Sequence, residues 1–127
     1  MKRVVSCAIF VLALAAYSVP AQATATASFQ GNCNSTFTCN FDAARPSPGS
    51  SCSGGATILY SWDFGDPAGS QTFTSSTTIS HTYPGTGGYT VILKVWCSDG
   101  PTQTATHHVC YGFGGPDCIT SGGGWQP

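Results

Sequence analysis

The segment Tyr89-Thr90-Val91-Ile92-Leu93-Lys94-Val95-Trp96-Cys97 constrains the fold more than any other feature of this chain. Successive side chains of a β-strand point to opposite faces. Tyr89, Val91, Leu93 and Val95 therefore share one face, and Thr90, Ile92, Lys94 and Trp96 share the other. Lys94 marks the second face as the one in water, which leaves the first for a core. The same period organises Ile58 to Phe64, with Ile58, Tyr60, Trp62 and Phe64 on one side and Leu59, Ser61 and Asp63 opposite. Weaker segments of the same kind run from Thr26 to Gln30, Phe37 to Asp42, Gln71 to Thr74, Thr77 to Tyr83 and Thr102 to Val109. Gly, Pro, Asn and Asp separate them. Asp99-Gly100-Pro101 reads as a hairpin turn, and the carboxylates of Phe64-Gly65-Asp66-Pro67 are suited to accept hydrogen bonds from turn backbone N–H groups. Gly88, just before Tyr89, suits a tight corner in which the Tyr hydroxyl bonds back to the backbone. Seven short strands with such turns predict an all-β fold, a two-sheet antiparallel sandwich.

Residues 1–23 read as an export signal. Met1-Lys2-Arg3 is a positive start, Val4 to Tyr17 an apolar run, and Pro20-Ala21-Gln22-Ala23 a small-residue cleavage site, with Ala23-Thr24-Ala25 as a second one. The run falls short of the roughly 20 apolar residues that a transmembrane helix needs. The expected product is a secreted, extracellular protein with no membrane span after cleavage. Six cysteines remain beyond the signal: Cys33, Cys39, Cys52, Cys97, Cys110 and Cys118. An even number in a short exported chain predicts three disulfides, and on spacing alone about 15 pairings are open. No two cysteines have the C-x-x-C spacing of a zinc site.

Charge narrows the function classes. Charged residues make up 7% of the chain, against about 25% in ordinary domains. Beyond the signal, Arg45 and Lys94 stand against Asp42, Asp63, Asp66, Asp99 and Asp117. Such a chain has nothing with which to neutralise a row of phosphates, so nucleic acid and anionic membranes are excluded as partners.

Three blocks, Tyr60-Ser61-Trp62-Asp63-Phe64-Gly65-Asp66, His81-Thr82-Tyr83 and Gly88-Tyr89-Thr90-Val91-Ile92-Leu93-Lys94-Val95, together resemble the PKD (polycystic-kidney-disease-type, Ig-like) domain of bacterial secreted proteins. The resemblance covers about Thr24 to Cys110. It implies a seven-stranded Ig-like β-sandwich used as an extracellular spacer or interaction module, not itself an enzyme. It makes Trp62, Asp63, Phe64, Gly65, Asp66, His81, Tyr83 and Tyr89 structural residues. Residues 111–127 then form a Gly-rich tail tied by a disulfide. The loop ends of the implied topology favour Cys33–Cys39, Cys52–Cys97 and Cys110–Cys118, with crossed pairing among Cys33, Cys39, Cys110 and Cys118 as the competitor. Related modules often carry an acidic, sometimes calcium-binding segment before the Trp strand. Here Arg45 to Gly55 holds no carboxylate, and a calcium site needs six to eight oxygens, several of them usually from carboxylates. No metal or cofactor is expected, and calcium-stabilised spacing is the weaker alternative. Gly65-Asp66-Pro67 replaces the usual G-D-G, so the turn there should differ locally.

No catalytic set emerges. His107 and His108 are strand neighbours pointing to opposite faces and cannot chelate one metal together. His81 reads as a packing or hydrogen-bonding residue. Asp63 and Asp66 are better explained as turn carboxylates than as an acid–base pair. The binding candidates are Trp96 and Ile92 on the wet face of their strand, and Tyr111 and Trp125 in the tail. Trp96 and Ile92 offer a platform to extracellular polysaccharide or to a secreted or surface protein, unless the tail folds over and covers them. A purely structural spacer is the alternative. Asn34-Ser35-Thr36 fits an N-glycosylation acceptor in a surface turn.

Overall fold

Ten strands run through the residues that the computed structural model describes, 23–67, 72–112 and 118–120. In chain order they are β1 (Ala25–Thr26), β2 (Gln30–Cys33), β3 (Thr38–Asp42), β4 (Ser51–Cys52), β5 (Ile58–Asp63), β6 (Thr72–Thr74), β7 (Thr78–Thr82), β8 (Gly87–Cys97), β9 (Thr102–Tyr111) and β10 (Cys118–Thr120). A 3-10 turn, Ser53–Gly55, sits between β4 and β5. One sheet has five strands in the order β10-β9-β8-β5-β6, a second has three in the order β2-β3-β7, and β1 pairs with β4. The two larger sheets enclose the core of an Ig-like sandwich.

Strand β8 behaves as its alternation requires. Tyr89, Val91, Leu93 and Val95 are buried, while Thr90, Ile92 and Trp96 are exposed. It pairs antiparallel with β5 on one side and β9 on the other, and so forms the middle of the five-stranded sheet. The expected strand Thr26–Gln30 is instead divided between two sheets. Ala25–Thr26 pairs with Ser51–Cys52, whereas Gln30–Cys33 pairs with β3. Ser50 holds the crossover: its hydroxyl accepts from Ser28 N at 2.9 Å and donates to Ser28 O at 2.6 Å, taking Ser28 out of any ladder. Strand β9 continues one residue past Cys110, through Tyr111. Beyond it, β10 adds to the edge of β9 in parallel, a departure from the antiparallel pattern of the other strands.

Trp62 is the centre of the core. It is fully buried, with Phe29 edge-on at 5.2 Å between centroids, Phe41 at 5.8 Å and Phe64 in a parallel stack at 6.3 Å. The stack continues sideways: His81 lies on Phe64 at 4.1 Å, Tyr83 meets His81 edge-on at 4.7 Å, and Tyr89 stacks on Tyr83 at 4.2 Å. Offset and edge-on contacts of this kind add to the area term, by about 0.5–1.5 kcal/mol per pair. The Tyr89 hydroxyl donates to Gly85 O at 2.9 Å, which is the expected corner. The two carboxylates of the Trp62 turn have different tasks. Asp63 accepts from Gly65 N at 3.0 Å, as a turn carboxylate should. Asp66 is buried, and its Oδ2 lies 2.9 Å from His81 Nε2, tying the turn to β7. Gly65 adopts φ +70°, and a Cβ there would run into the backbone of Thr90, 2.7 Å from its nitrogen. Close approach of two backbones explains why the motif needs glycine at this point.

The disulfides formed are Cys33–Cys39, Cys52–Cys97 and Cys110–Cys118, with Cα separations of 4.0, 5.8 and 5.5 Å. Crossed pairing does not occur. Cys33 and Cys39 are register partners at the end of the β2–β3 hairpin. Cys52–Cys97 ties the small β1–β4 sheet to the end of β8, closing the longest loop, of sequence separation 45.

Two predictions follow from this arrangement. In the chain-entropy account, closing a 45-residue loop is worth about 4 kcal/mol. Replacing Cys52 and Cys97 together by Ala should therefore lower the urea-unfolding free energy by about that amount; a loss below about 1 kcal/mol contradicts the account. The second concerns alkali. Burial, reinforced by the Asp66 charge, pushes the Tyr83 phenol far above its ordinary value. Burial raises Tyr60 too, with help from Asp42, and Tyr111, with help from Tyr89. Below about pH 10 both the folded and the unfolded chain keep these protons, and above it the unfolded chain loses them first. The stability they confer should thus be complete up to about pH 9 and fall as the pH passes about 10. Denaturant melts across this range, read beside phenolate absorbance, check it. Ionisation of all the tyrosines without loss of stability contradicts it.

Candidate functional site

Among the described residues, the face of the five-stranded sheet turned away from the core carries four large apolar side chains. Leu59 is 49% exposed, Phe73 68%, Ile92 37% and Trp96 40%. The strand register explains why they gather. Leu59 is the partner of Trp96 across β5 and β8, Asp63 is the partner of Ile92, and Phe73 on β6 pairs with Ser61, itself opposite Lys94. On the far side of β8, Trp96, Lys94 and Ile92 face Thr102, Thr104 and Thr106 of β9. The result is an apolar area edged by hydroxyls, with one cation and one carboxylate inside it.

Two recesses shape this area. Thr57, Leu59, Phe73, Trp96, Cys97 and Ser98 line one of about 440 Å³. Ser61, Asp63, Phe73, Ile92, Lys94, Trp96 and Thr104 line a smaller one of about 200 Å³. Phe73 and Trp96 belong to both and form the ridge between them. Ser61 is buried although it points to the outer face, at the floor of the smaller recess. The Lys94 ammonium sits 4.0 Å from the centre of the Trp96 ring. That contact holds the cation on the indole and occupies one face of the ring.

The four residues expected to bind a ligand separate. Trp96 and Ile92 lie together in this area. Tyr111 does not: it ends β9, is 4% exposed, and packs with Phe37 at 4.9 Å and Tyr83 at 6.2 Å. Its hydroxyl lies 3.3 Å from Cys39 Sγ. It is a core residue because the strand carries its alternation one residue beyond Cys110. Trp125 lies outside the described residues. The described part of the tail, β10, pairs with His108–Cys110, at the opposite end of β9 from the Thr102 that pairs with Trp96. These three residues lengthen the sheet edge away from Trp96.

Leu59 and Phe73 join the site without having been singled out from the sequence. Leu59 carried a signal, an apolar residue on the face opposite Trp62. Phe73 stands in a three-residue strand too short for alternation to reveal its direction. The remaining candidates for chemistry fall apart as a set. His108 Nδ1 lies 3.2 Å from Thr90 Oγ1 on the outer face, while His107 packs edge-on to Phe29 at 4.6 Å on the inner one. Asp42 accepts from Ala44 N at 2.8 Å and lies 3.6 Å from Arg45 Nε. Among the described residues no three His, Cys, Asp or Glu side chains gather as a metal-binding group. Asn34 is exposed in the β2–β3 turn, its Oδ1 accepting from Thr36 N, Thr36 Oγ1 and Thr38 N.

Comparison with known proteins agrees with this architecture. No curated protein sequence matches the chain. Among solved structures, the crystal structure of the PKD1 domain of Vibrio anguillarum Epp shares its fold, with a TM-score of 0.52 at 22% identity, over 69% of this chain and 93% of that one. The model of the PKD domain family matches residues 14–110, most of the chain, and spans the Trp62, His81 and Tyr89 blocks around which the core is built. By that match the chain belongs to the PKD domain family.

Proposed function

We propose that this protein is a secreted, non-catalytic module that makes an extracellular protein contact through the Leu59, Phe73, Ile92 and Trp96 face. The observation that carries the reading is the apolar recess of about 440 Å³ between Leu59, Phe73 and Trp96. A recess walled by aliphatic and aromatic side chains accepts an apolar side chain of a partner, and contacts of that kind supply most of the energy of protein interfaces. Lys94 adds a fixed charge beside the recess, which favours a carboxylate on the partner and sets orientation more than affinity.

A sugar platform at the same place is less well supported. Stacking on a pyranose needs an open aromatic face, and the Lys94 ammonium covers one face of Trp96. Two of the four apolar residues, Leu59 and Ile92, are aliphatic. A pure spacer role leaves the exposure of four large apolar side chains without a purpose. Three disulfides suit an oxidising compartment, which supports placing the contact outside the cell.

The test is retention of the oxidised protein on immobilised secreted and surface proteins and, separately, on insoluble polysaccharides. The variant for comparison combines Phe73→Ala with Trp96→Ala. Retention on a protein that falls at least tenfold in the variant, with unchanged thermal unfolding, is the expected result. Retention on a glycan that depends on these two residues, or on proteins without depending on them, overturns the reading.

A further inference from the structure

The Trp96 face carries one charge of each sign, and the two do not pair with each other. Asp63 and Lys94 stand on neighbouring strands two register positions apart, since Asp63 is opposite Ile92 and Lys94 opposite Ser61. Both are half-buried and line the smaller recess. The Lys94 ammonium rests on the Trp96 ring, 4.0 Å from its centre, and one Asp63 oxygen accepts from Gly65 N. Among the described residues neither group forms an ion pair. Phe73, the most exposed of the large apolar side chains at 68%, stands beside them, opposite Ser61 on the other side of β5.

We propose that the partner of this face is a second copy of the same chain, docked about a two-fold axis that lies in the plane of the face between Asp63 and Lys94. The inference rests on the reading that the Trp96 face makes a protein contact, and it names the partner. A two-fold interface is reciprocal: where residue i meets residue j, j also meets i. Lys94 of each copy then meets Asp63 of the other, and two ion pairs form from charges that the single chain leaves unpaired. The register puts Phe73 close to the axis. With strands about 4.8 Å apart and residues about 3.4 Å apart along them, its backbone position is roughly 8 Å from that of Asp63 and roughly 10 Å from that of Lys94. A point equidistant from the two charges lies on the axis, so the most exposed ring of the face meets its own copy, a favourable aromatic contact. Charge complementarity argues for a second copy over an unrelated protein. A foreign carboxylate satisfies Lys94 but leaves Asp63 covered without a cation, which is costly at an interface. A second copy supplies both charges, at matching positions, by symmetry. With 7% charged residues, the chain also has little long-range repulsion to oppose self-contact.

The test is analytical ultracentrifugation of the oxidised protein from about 1 µM to about 1 mM, at low and at high salt. A monomer–dimer equilibrium is expected, weakened about tenfold or more by Phe73→Ala. Lys94→Gln and Asp63→Asn should each weaken it about threefold or more, and Asn at 63 keeps an oxygen for Gly65 N. Because these two substitutions break the same two ion pairs, the double variant should dimerise little worse than either single one. Added salt should weaken the parent dimer and leave that of the double variant nearly unchanged. Thermal unfolding matched to the parent shows that each variant is folded. A monomer throughout the concentration range overturns the proposal, as does a dimer that Phe73→Ala leaves intact, or charge effects that add in full. A monomer still retained on other proteins through Phe73 and Trp96 overturns this inference alone and leaves the reading of the face as a protein contact. A dimer indifferent to Phe73, with no such retention, removes both.

Discussion

Burial of Trp62 is the interaction on which the rest of this structure depends. Its indole touches Phe29, just before β2, Phe41 on β3, and Phe64, which follows its own strand β5. Remove it and the two sheets lose the body that holds them at their spacing. From this centre the contacts run outwards through Phe64, His81, Tyr83 and Tyr89, so that β5, β7 and β8 are tied by stacked rings before any disulfide is counted. The turn following Trp62 is then fixed at three points. Asp63 holds Gly65, Gly65 allows Thr90 to come close, and Asp66 reaches across to His81. Conserving the order Trp-Asp-Phe-Gly-Asp in space thus takes a specific backbone, a small residue and a buried hydrogen bond, not hydrophobicity alone.

Low charge gives the disulfides their weight. With 7% charged residues, there is little electrostatic stabilisation to draw on. Exposed pairs such as Arg45–Asp42 contribute little in any protein. The core itself is modest, as in any chain of this size. Cross-links that restrict the unfolded chain fill that role. Their placement follows the same logic: Cys52–Cys97 fastens the two-residue strands β1 and β4, which have too few ladder bonds to hold themselves, onto the end of the longest strand.

Much of this was legible in the sequence because alternation and burial describe the same fact. Tyr89 to Cys97 shows its buried and exposed sides without a structure, and so does Ile58 to Phe64. The outer positions of those two strands, Leu59, Ile92 and Trp96, were therefore visible as a group once their strands were paired. Other features were not legible for identifiable reasons. The break at Ala27 to Phe29 depends on a long-range pair between Ser28 and Ser50, and local pattern carries no trace of a partner 22 residues away. Tyr111 looked like part of a tail because glycine follows it at once; its burial is decided by Phe37 and Tyr83, far off in sequence. Asp66 resembled a turn carboxylate, and only the fold brings His81 to it.

The two outer faces bear different relations to the fold. Inner positions are chosen by the core, and substitution there is costly. Outer positions are free of that demand, so what stands in them is informative. A sheet face open to water is adequately filled by Thr, Ser, Asn and Lys, and β9 and the three-stranded sheet show that this chain has such residues to use. Leu59, Phe73, Ile92 and Trp96 stand out against that background. A protein with so few charges has little repulsion to keep its molecules apart, and contiguous exposed apolar area promotes unwanted association. Keeping four such residues on one face is a liability that folding does not require. Lys94, one of the two cations beyond the signal-like segment, is placed in the middle of that same area over the indole. A charge so placed limits indiscriminate sticking while leaving the Leu59–Phe73–Trp96 recess open, which is the combination a selective contact needs.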